Sequence, residues 1–255
     1  MPESSIILSL ETATRRGSVC LTRANELLAS AVGEDLTSHS NTLLKQIDQV
    51  LVSSRFSLED VSLFAAASGP GSFTGLRIGL ATVKGLAATL DRPCAGIPTL
   101  QAVARAGGVS AVTVALLPAG RGELFAQKLA VMPDGTVVEL DQPSHISPAE
   151  LLNKYGNEPS IRWCGEGAQA RSLYLQEFAQ EQGICFTELQ KAEQGLKQDG
   201  WTLAPAEPLL ARHVAALAQV RLEQGETGDP NSLRAFYVRP SDAELKSHGY
   251  NAADS

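Results

Sequence analysis

Apolar positions change period along the first hundred residues. Residues 5–10 form a short apolar run of strand formers, and 17–22 and 26–32 follow across turn-like Thr-Arg-Arg and Arg-Ala-Asn segments, which predicts three sequential antiparallel strands. From Ser38 the spacing becomes helical. Leu43, Leu44, Ile47, Val50 and Leu51 fall at i, i+1, i+4, i+7 and i+8, with Lys45, Gln46, Asp48 and Gln49 between them. Residues 61–67 are continuously apolar and of strand length, 74–90 read as a long helix rich in small residues, and 93–96 as the next strand. The order is β-β-β-α-β-α-β, with its later strands parallel and buried.

The same order returns after Gly107-Gly108. Residues 109–117, 123–131 and 136–140 read as strands, the last two joined by the turn Pro133-Asp134-Gly135. Ser147-Pro148-Ala149-Glu150 supplies an N-cap, a first-turn proline and a capping-box glutamate for a helix. A strand at 161–164, a helix at 169–182 and a strand at 183–186 complete the second round, and 209–222 form a further helix. The pattern predicts lobes at 1–106 and 107–206, a helix at 207–226 that can pack back on the first lobe, and a tail at 227–255. That tail, rich in Pro, Ser, Asp and Gly, is expected to be at best partly ordered.

Composition narrows the function classes. The chain has 255 residues, 44% hydrophobic, with 21 Lys and Arg against 28 Asp and Glu, a net charge of −7. Its charges are scattered, so no basic footprint for gripping nucleic acid alone or an anionic membrane is visible. No secretory signal and no membrane span can be drawn. Four separated cysteines, Cys20, Cys94, Cys164 and Cys185, read as buried thiols of a cytoplasmic protein. His39, His145, His213 and His248 make no H-x-x-x-H or H-E-x-x-H pair, so no local histidine metal site is expected. His213, on an apolar helix face, reads as a packed and satisfied core histidine.

The chemistry-bearing segment is Ser68-Gly69-Pro70-Gly71-Ser72-Phe73-Thr74-Gly75, a glycine-rich turn between a strand and a helix. Free N–H groups and the helix dipole at such a point suit a phosphate or carboxylate. Gly69, Gly71, Ser72, Thr74 and Gly75 are therefore candidate nucleotide- or anion-binding residues, with a purely structural turn the equal alternative. Glu11, at the end of the first strand, could hold a hydrated metal ion or orient a phosphate; a solvated or hydrogen-bonded acid is the plainer alternative. Gly75, Gly79, Thr82 and Leu86 share one helix face. It can pack on the chain's own sheet or admit a partner helix, and the neighbouring amphipathic helix favours the partner.

The string Gly69-Pro70-Gly71-Ser72-Phe73-Thr74-Gly75-Leu76-Arg77-Ile78-Gly79 closely resembles the signature of the bacterial TsaB (YeaZ) family, glycoprotease-like subunits of tRNA threonylcarbamoyladenosine biosynthesis. Leu10-Glu11-Thr12-Ala13-Thr14, His39, Gly96-Ile97-Pro98-Thr99-Leu100 and Phe236-Tyr237-Val238-Arg239 fall in the matching order. The resemblance implies an α/β fold of two ribonuclease H-like lobes, as in the actin-like ATPases. It also implies a non-catalytic subunit that binds a TsaD-type threonylcarbamoyltransferase, with a TsaE-type ATPase joining them and tRNA reached only through the complex. Where the catalytic paralogue carries H-x-x-x-H, this chain has Ile97-Pro98-Thr99-Leu100-Gln101-Ala102-Val103. The implied partner surface maps to Leu43, Leu44, Ile47, Leu51, Gly75 and Gly79, with a homodimer in isolation. No intrinsic cofactor or metal is expected; ATP or ADP can sit at the subunit junction. Glu11 stands where the family usually has Asp, and 117–123 replace a stretch that usually carries Asp and Arg. An independent ATPase or small-molecule kinase of the same fold is the alternative, and a metallopeptidase a more distant one.

Overall fold

In this computed structural model, residues 5–34, 39–191, 193–194 and 199–238 are described, with 39–41 and 193–194 described by backbone alone. Strands β1 (Ile6–Glu11), β2 (Ser18–Arg23) and β3 (Glu26–Val32) form an antiparallel meander, with Leu8 opposite Leu21. Helix α1 (His39–Ser54) leads to β4 (Leu63–Gly69), α2 (Phe73–Thr89) to β5 (Cys94–Pro98), and both strands run parallel to β1. The sheet order is β3-β2-β1-β4-β5. A helix absent from the pattern reading, α3 (Thr99–Ala106), follows directly from β5.

The second sheet begins with β6 (Gly108–Gly120), β7 (Glu123–Val131) and β8 (Val137–Glu139), with β9 (Ser144–Ile146) along the outer edge of β7. Helix α4 (Pro148–Tyr155) starts in the expected capping box: Ser147 Oγ accepts from Glu150 N at 3.3 Å, and Ser147 N donates to Glu150 Oε2 at 2.7 Å. Then come β10 (Ile161–Cys164), α5 (Glu166–Gln169), α6 (Ser172–Glu181), β11 (Phe186–Glu188), β12 (Glu193–Gln194), β13 (Trp201–Leu203) and α7 (Leu210–Gln224). The expected helix over 169–182 is α6, which begins three residues later, after the separate short helix α5.

The path β8-β7-β6-β10-β13 repeats both the order and the strand directions of the first sheet. The doubled pattern is real, with one correction. The segment expected to close the second round, 183–186, yields β11 at Phe186–Glu188, which lies at the sheet edge; β13 takes the inner place. Burial explains the exchange. Trp201 and Leu203 are enclosed, with Trp201 packed against Trp163 and Phe178, whereas β11 remains half exposed.

Alternation divides the first sheet into two faces. Ile6, Leu8, Leu10, Leu21 and Phe64 meet α1 and α2 on one side. Ile7, Cys20, Ala65 and Ile97 meet α3 and α7 on the other. Helix α7 is pinned there: Ser9 Oγ donates to Ala211 O at 2.8 Å, and Ala211 N donates to Ser18 Oγ at 3.0 Å. Helix α3 lies between the two sheets, its apolar side chains in one cluster with Ala115, Leu117 and Leu129 of the second. The expected tail divides. Gly228 exchanges backbone hydrogen bonds with Cys94, and Phe236 N donates to Ser68 O at 2.7 Å; residues 239–255 lie outside the described residues.

Candidate functional site: the glycine-rich turn and the outer face of α1 and α2

Strand β4 ends at Gly69, whose φ of +118° and close contact with the Phe236 carbonyl exclude a side chain. Gly69 N donates to Thr99 Oγ1 at 3.1 Å. Ser72 N donates to Ala13 O at 2.8 Å, and the Ser72 hydroxyl caps α2 by accepting from Gly75 N at 3.2 Å. Three of the turn's donors, the N–H groups of Gly69, Ser72 and Gly75, are therefore held by the chain's own atoms. Gly71 lies against Ala13, where an added Cβ would come within 2.6 Å of both the Ala13 Cβ and its carbonyl oxygen. The Ser72 and Thr74 side chains are exposed at the turn's rim.

Gly75 and Gly79 do not face outward. Both are buried: the Thr12 carbonyl covers Gly75, and the Thr12 hydroxyl covers Gly79 while donating to Gly75 O at 2.8 Å. The glycines let the β1–β2 loop lie directly on the first two turns of α2. They pack the chain against itself, so the expected partner contact at these two positions is corrected.

Glu11 also belongs to this loop. Its Oε1 accepts from Ala13 N at 2.6 Å and Thr14 N at 2.7 Å, and its Oε2 accepts from the Thr14 hydroxyl at 2.7 Å. Burial raises its pKa; the hydrogen bonds from Thr14 and Ala13 oppose the rise, and the nearby Glu166 carboxylate adds to it. The carboxylate is occupied as a clamp on residues 12–14. Beyond it, a narrow cleft of about 50 Å³ opens between the sheets, bordered by Thr14, Arg16, Val103, Gly165, Glu166 and Pro208. The departing stretch 117–123 forms the β6–β7 hairpin, with Arg121 at φ +50° between two positive-φ glycines.

The outer face of α1 and α2 differs from the one the spacing suggested. Leu43 and Ile47 are in the core, Leu51 is half-buried, and Leu44 and Val52 are 67% and 70% exposed. Among the exposed positions of α2, Arg77, Ala81, Gly85 and Ala88 follow one another at i, i+4, i+8 and i+11, and nothing lies within 4 Å of a Cβ built on Gly85. This stripe was missed because counting from Gly75 followed the buried side. The Arg77 guanidinium lies 3.7 Å over the Phe73 ring, with Tyr237 beside both, so the chain's last described residues border this face.

The remaining candidates are placed as follows. His213 is half-buried, with Arg105 at 3.2 Å from Nδ1 and Glu207 at 3.8 Å from Nε2. The His39 side chain and all of His248 lie outside the described residues. Cys20, Cys94 and Cys164 are buried, but Cys185 is exposed, which corrects the expectation for that thiol. No group of three or more metal-ligating side chains occurs, and no helix is long and apolar enough to cross a membrane, among the described residues.

Comparison with known proteins adds relatives. Residues 34–197 match the family model described as TsaD, tRNA N6-adenosine threonylcarbamoyltransferase. The chain is 36% identical over 250 residues, 95% of its length and 98% of the relative's, to the tRNA threonylcarbamoyladenosine biosynthesis protein TsaB of Escherichia coli. A solved Pseudomonas aeruginosa structure, described as similar to peptidase YEAZ, superposes with a TM-score of 0.72 at 21% identity, covering 92% of this chain and all of that one. Component A of the Acidaminococcus fermentans (R)-2-hydroxyglutaryl-CoA dehydratase shares the fold at a TM-score of 0.51 and 11% identity, covering 86% of this chain and all of that one.

Proposed function

Since the chain belongs to the TsaB family of tRNA threonylcarbamoyladenosine biosynthesis proteins, we propose that it serves as the non-catalytic subunit that binds a TsaD-type threonylcarbamoyltransferase through the outer face of α1 and α2. The observation that carries this reading is the composition of that face. Leu44 and Val52 stand clear of the core on α1, and the Ala81-Gly85-Ala88 stripe on α2 is free of side-chain bulk. Small residues let a second helix approach closely, and exposed aliphatic residues give it apolar area to bury. Support for a non-catalytic role comes from the segment where the catalytic paralogue's histidines would fall: Thr99, Leu100, Ala102 and Val103 are packed into the core by α3. A TsaE-type ATPase and tRNA enter this proposal only as further members of the complex, and a homodimer through the same face as its form without the partner.

The test is sedimentation of the full chain mixed with its TsaD-type subunit. Leu44→Glu and Gly85→Leu should each weaken the heterodimer by about tenfold or more, since each removes or blocks a contact worth on the order of 1–2 kcal/mol. Neither should lower Tm. Undiminished heterodimer formation by the double variant would place the interface elsewhere.

A further inference from the structure

On the face of the first sheet away from α1 and α2, a partly open pocket of about 200 Å³ lies between α7, the end of α3 and the β2–β3 hairpin. Its lining includes Thr22, Asn25, Arg105, Arg212 and His213. We infer that this pocket is a binding site for a small oxyanion, a phosphoryl or carboxylate group, held by Arg105, Arg212 and the Thr22 hydroxyl.

Three observations converge. The Thr22 side chain, 2% exposed, projects from β2 on the same side as Cys20, toward α7, and its hydroxyl has no hydrogen-bond partner. A buried hydroxyl left unpaired is costly, and native structures seldom keep one without a ligand or water to satisfy it. Second, two guanidinium groups border one pocket, and among the described residues neither is in a salt bridge with a carboxylate. The Arg105 side chain donates to His213 Nδ1 at 3.2 Å. Third, Arg105 is held in place. His213 Nδ1 accepts its hydrogen bond, which assigns the remaining proton of the neutral ring to Nε2, facing Glu207. Gly135, at φ +84°, leaves room for the guanidinium, whose Nη2 lies 3.0 Å from where a Cβ would be. The carboxylate nearest the ring, Glu207, already accepts from Leu209 N at 2.7 Å. Glu207 offsets part of the charge of Arg212, but two guanidinium groups face one carboxylate, and an oxyanion between them relieves the remaining repulsion and satisfies Thr22 together. Because the pocket and the α1–α2 face lie on opposite sides of the first sheet, occupancy of one leaves the other accessible.

The experiment titrates the full chain with potassium phosphate and, separately, with sodium acetate, each against potassium chloride at matched ionic strength, reading Tm and calorimetric heat. Saturable binding of phosphate, of acetate or of both is expected, and the arm that responds identifies the group. Thr22→Val and Arg212→Ala should each weaken binding by about tenfold; without ligand, Arg212→Ala should leave Tm unchanged and Thr22→Val should keep or raise it, because Val removes an unpaired buried hydroxyl. Arg92→Ala, on the opposite side of the molecule's first sheet, should bind as the unaltered chain does. No saturable response to either anion overturns the proposal, as does binding by Thr22→Val and Arg212→Ala indistinguishable from that of the unaltered chain.

Discussion

Gly79 and Gly85 lie six residues apart on α2, and the same substitution should act oppositely at the two. A methyl group on Gly79 would run into the buried Thr12 hydroxyl and displace it from Gly75 O, 2.8 Å away. Leaving that hydroxyl unpaired costs about 1–3 kcal/mol, and crowding the packed junction about 1–3 more. Removing a helical glycine returns about 1 kcal/mol. The net expectation for Gly79→Ala is a loss of about 3 kcal/mol, or roughly 6–12 °C in Tm for a chain of this size. At Gly85 nothing lies within 4 Å, so only the helix-propensity gain of about 1 kcal/mol remains and Tm should rise. Thr12→Ala removes the obstructing oxygen, and in the double variant with Gly79→Ala much of the loss should return, a coupling of about 2 kcal/mol in a double-mutant cycle. Urea unfolding of the unaltered chain and the four variants measures all of these terms. Gly79→Ala as stable as Gly85→Ala, with no coupling to Thr12, would refute the internal packing of this face and restore Gly79 to the partner surface.

Two further outcomes follow from buried ionisable groups. Glu11→Gln keeps an amide oxygen to accept from Ala13 N and Thr14 N and can donate to the Thr14 hydroxyl, so the loop geometry survives without the charge. Because burial raises the folded-state pKa of Glu11, the fold favours its protonated form. That contribution is present at low pH and is lost as pH climbs from 4.5 through the raised value. The Tm of Glu11→Gln relative to the unaltered chain should therefore increase over that window; a difference constant with pH would contradict it. With Ellman's reagent near pH 8, the exposed Cys185 should react rapidly. Cys20 and Cys164, buried with thiols pushed up to about 12, and the buried Cys94 should react only on unfolding; fast reaction of a second thiol in the native chain would show an opening the fold lacks.

How much was readable in advance depended on the range of the interaction. The meander, α1 and the capping box of α4 are set by spacings of two to four residues, and they appear where the periodicity put them. The packing of Gly75 and Gly79 rests on Thr12, more than sixty positions away, and no local pattern distinguishes a glycine that admits a partner from one that admits the chain's own loop. Glu11 was visible as a strand-end acid, but its occupation depended on the path of residues 12–14. Strand β13 is three residues long, too short for alternation to register, while Phe186 offered a more conspicuous apolar signal and led the reading to the sheet edge. Gly85 lacked any marker because exposure of a glycine leaves no compositional trace. The family resemblance pointed to α1 and α2; which of their faces is exposed required coordinates.

Helix α7 has a consequence for how the molecule is made. It shields Ile7, Cys20, Ala65 and Ile97, residues within the first hundred, yet it begins at Leu210. Roughly 100 residues separate the end of α3 from that helix, an interval of about 5–20 s at ordinary rates of translation. During that time one side of the first sheet has left the ribosome without its cover. The first lobe cannot finish folding in the order in which it is synthesised, and a nascent chain stalled before Leu210 should expose an apolar sheet face that a chaperone can hold.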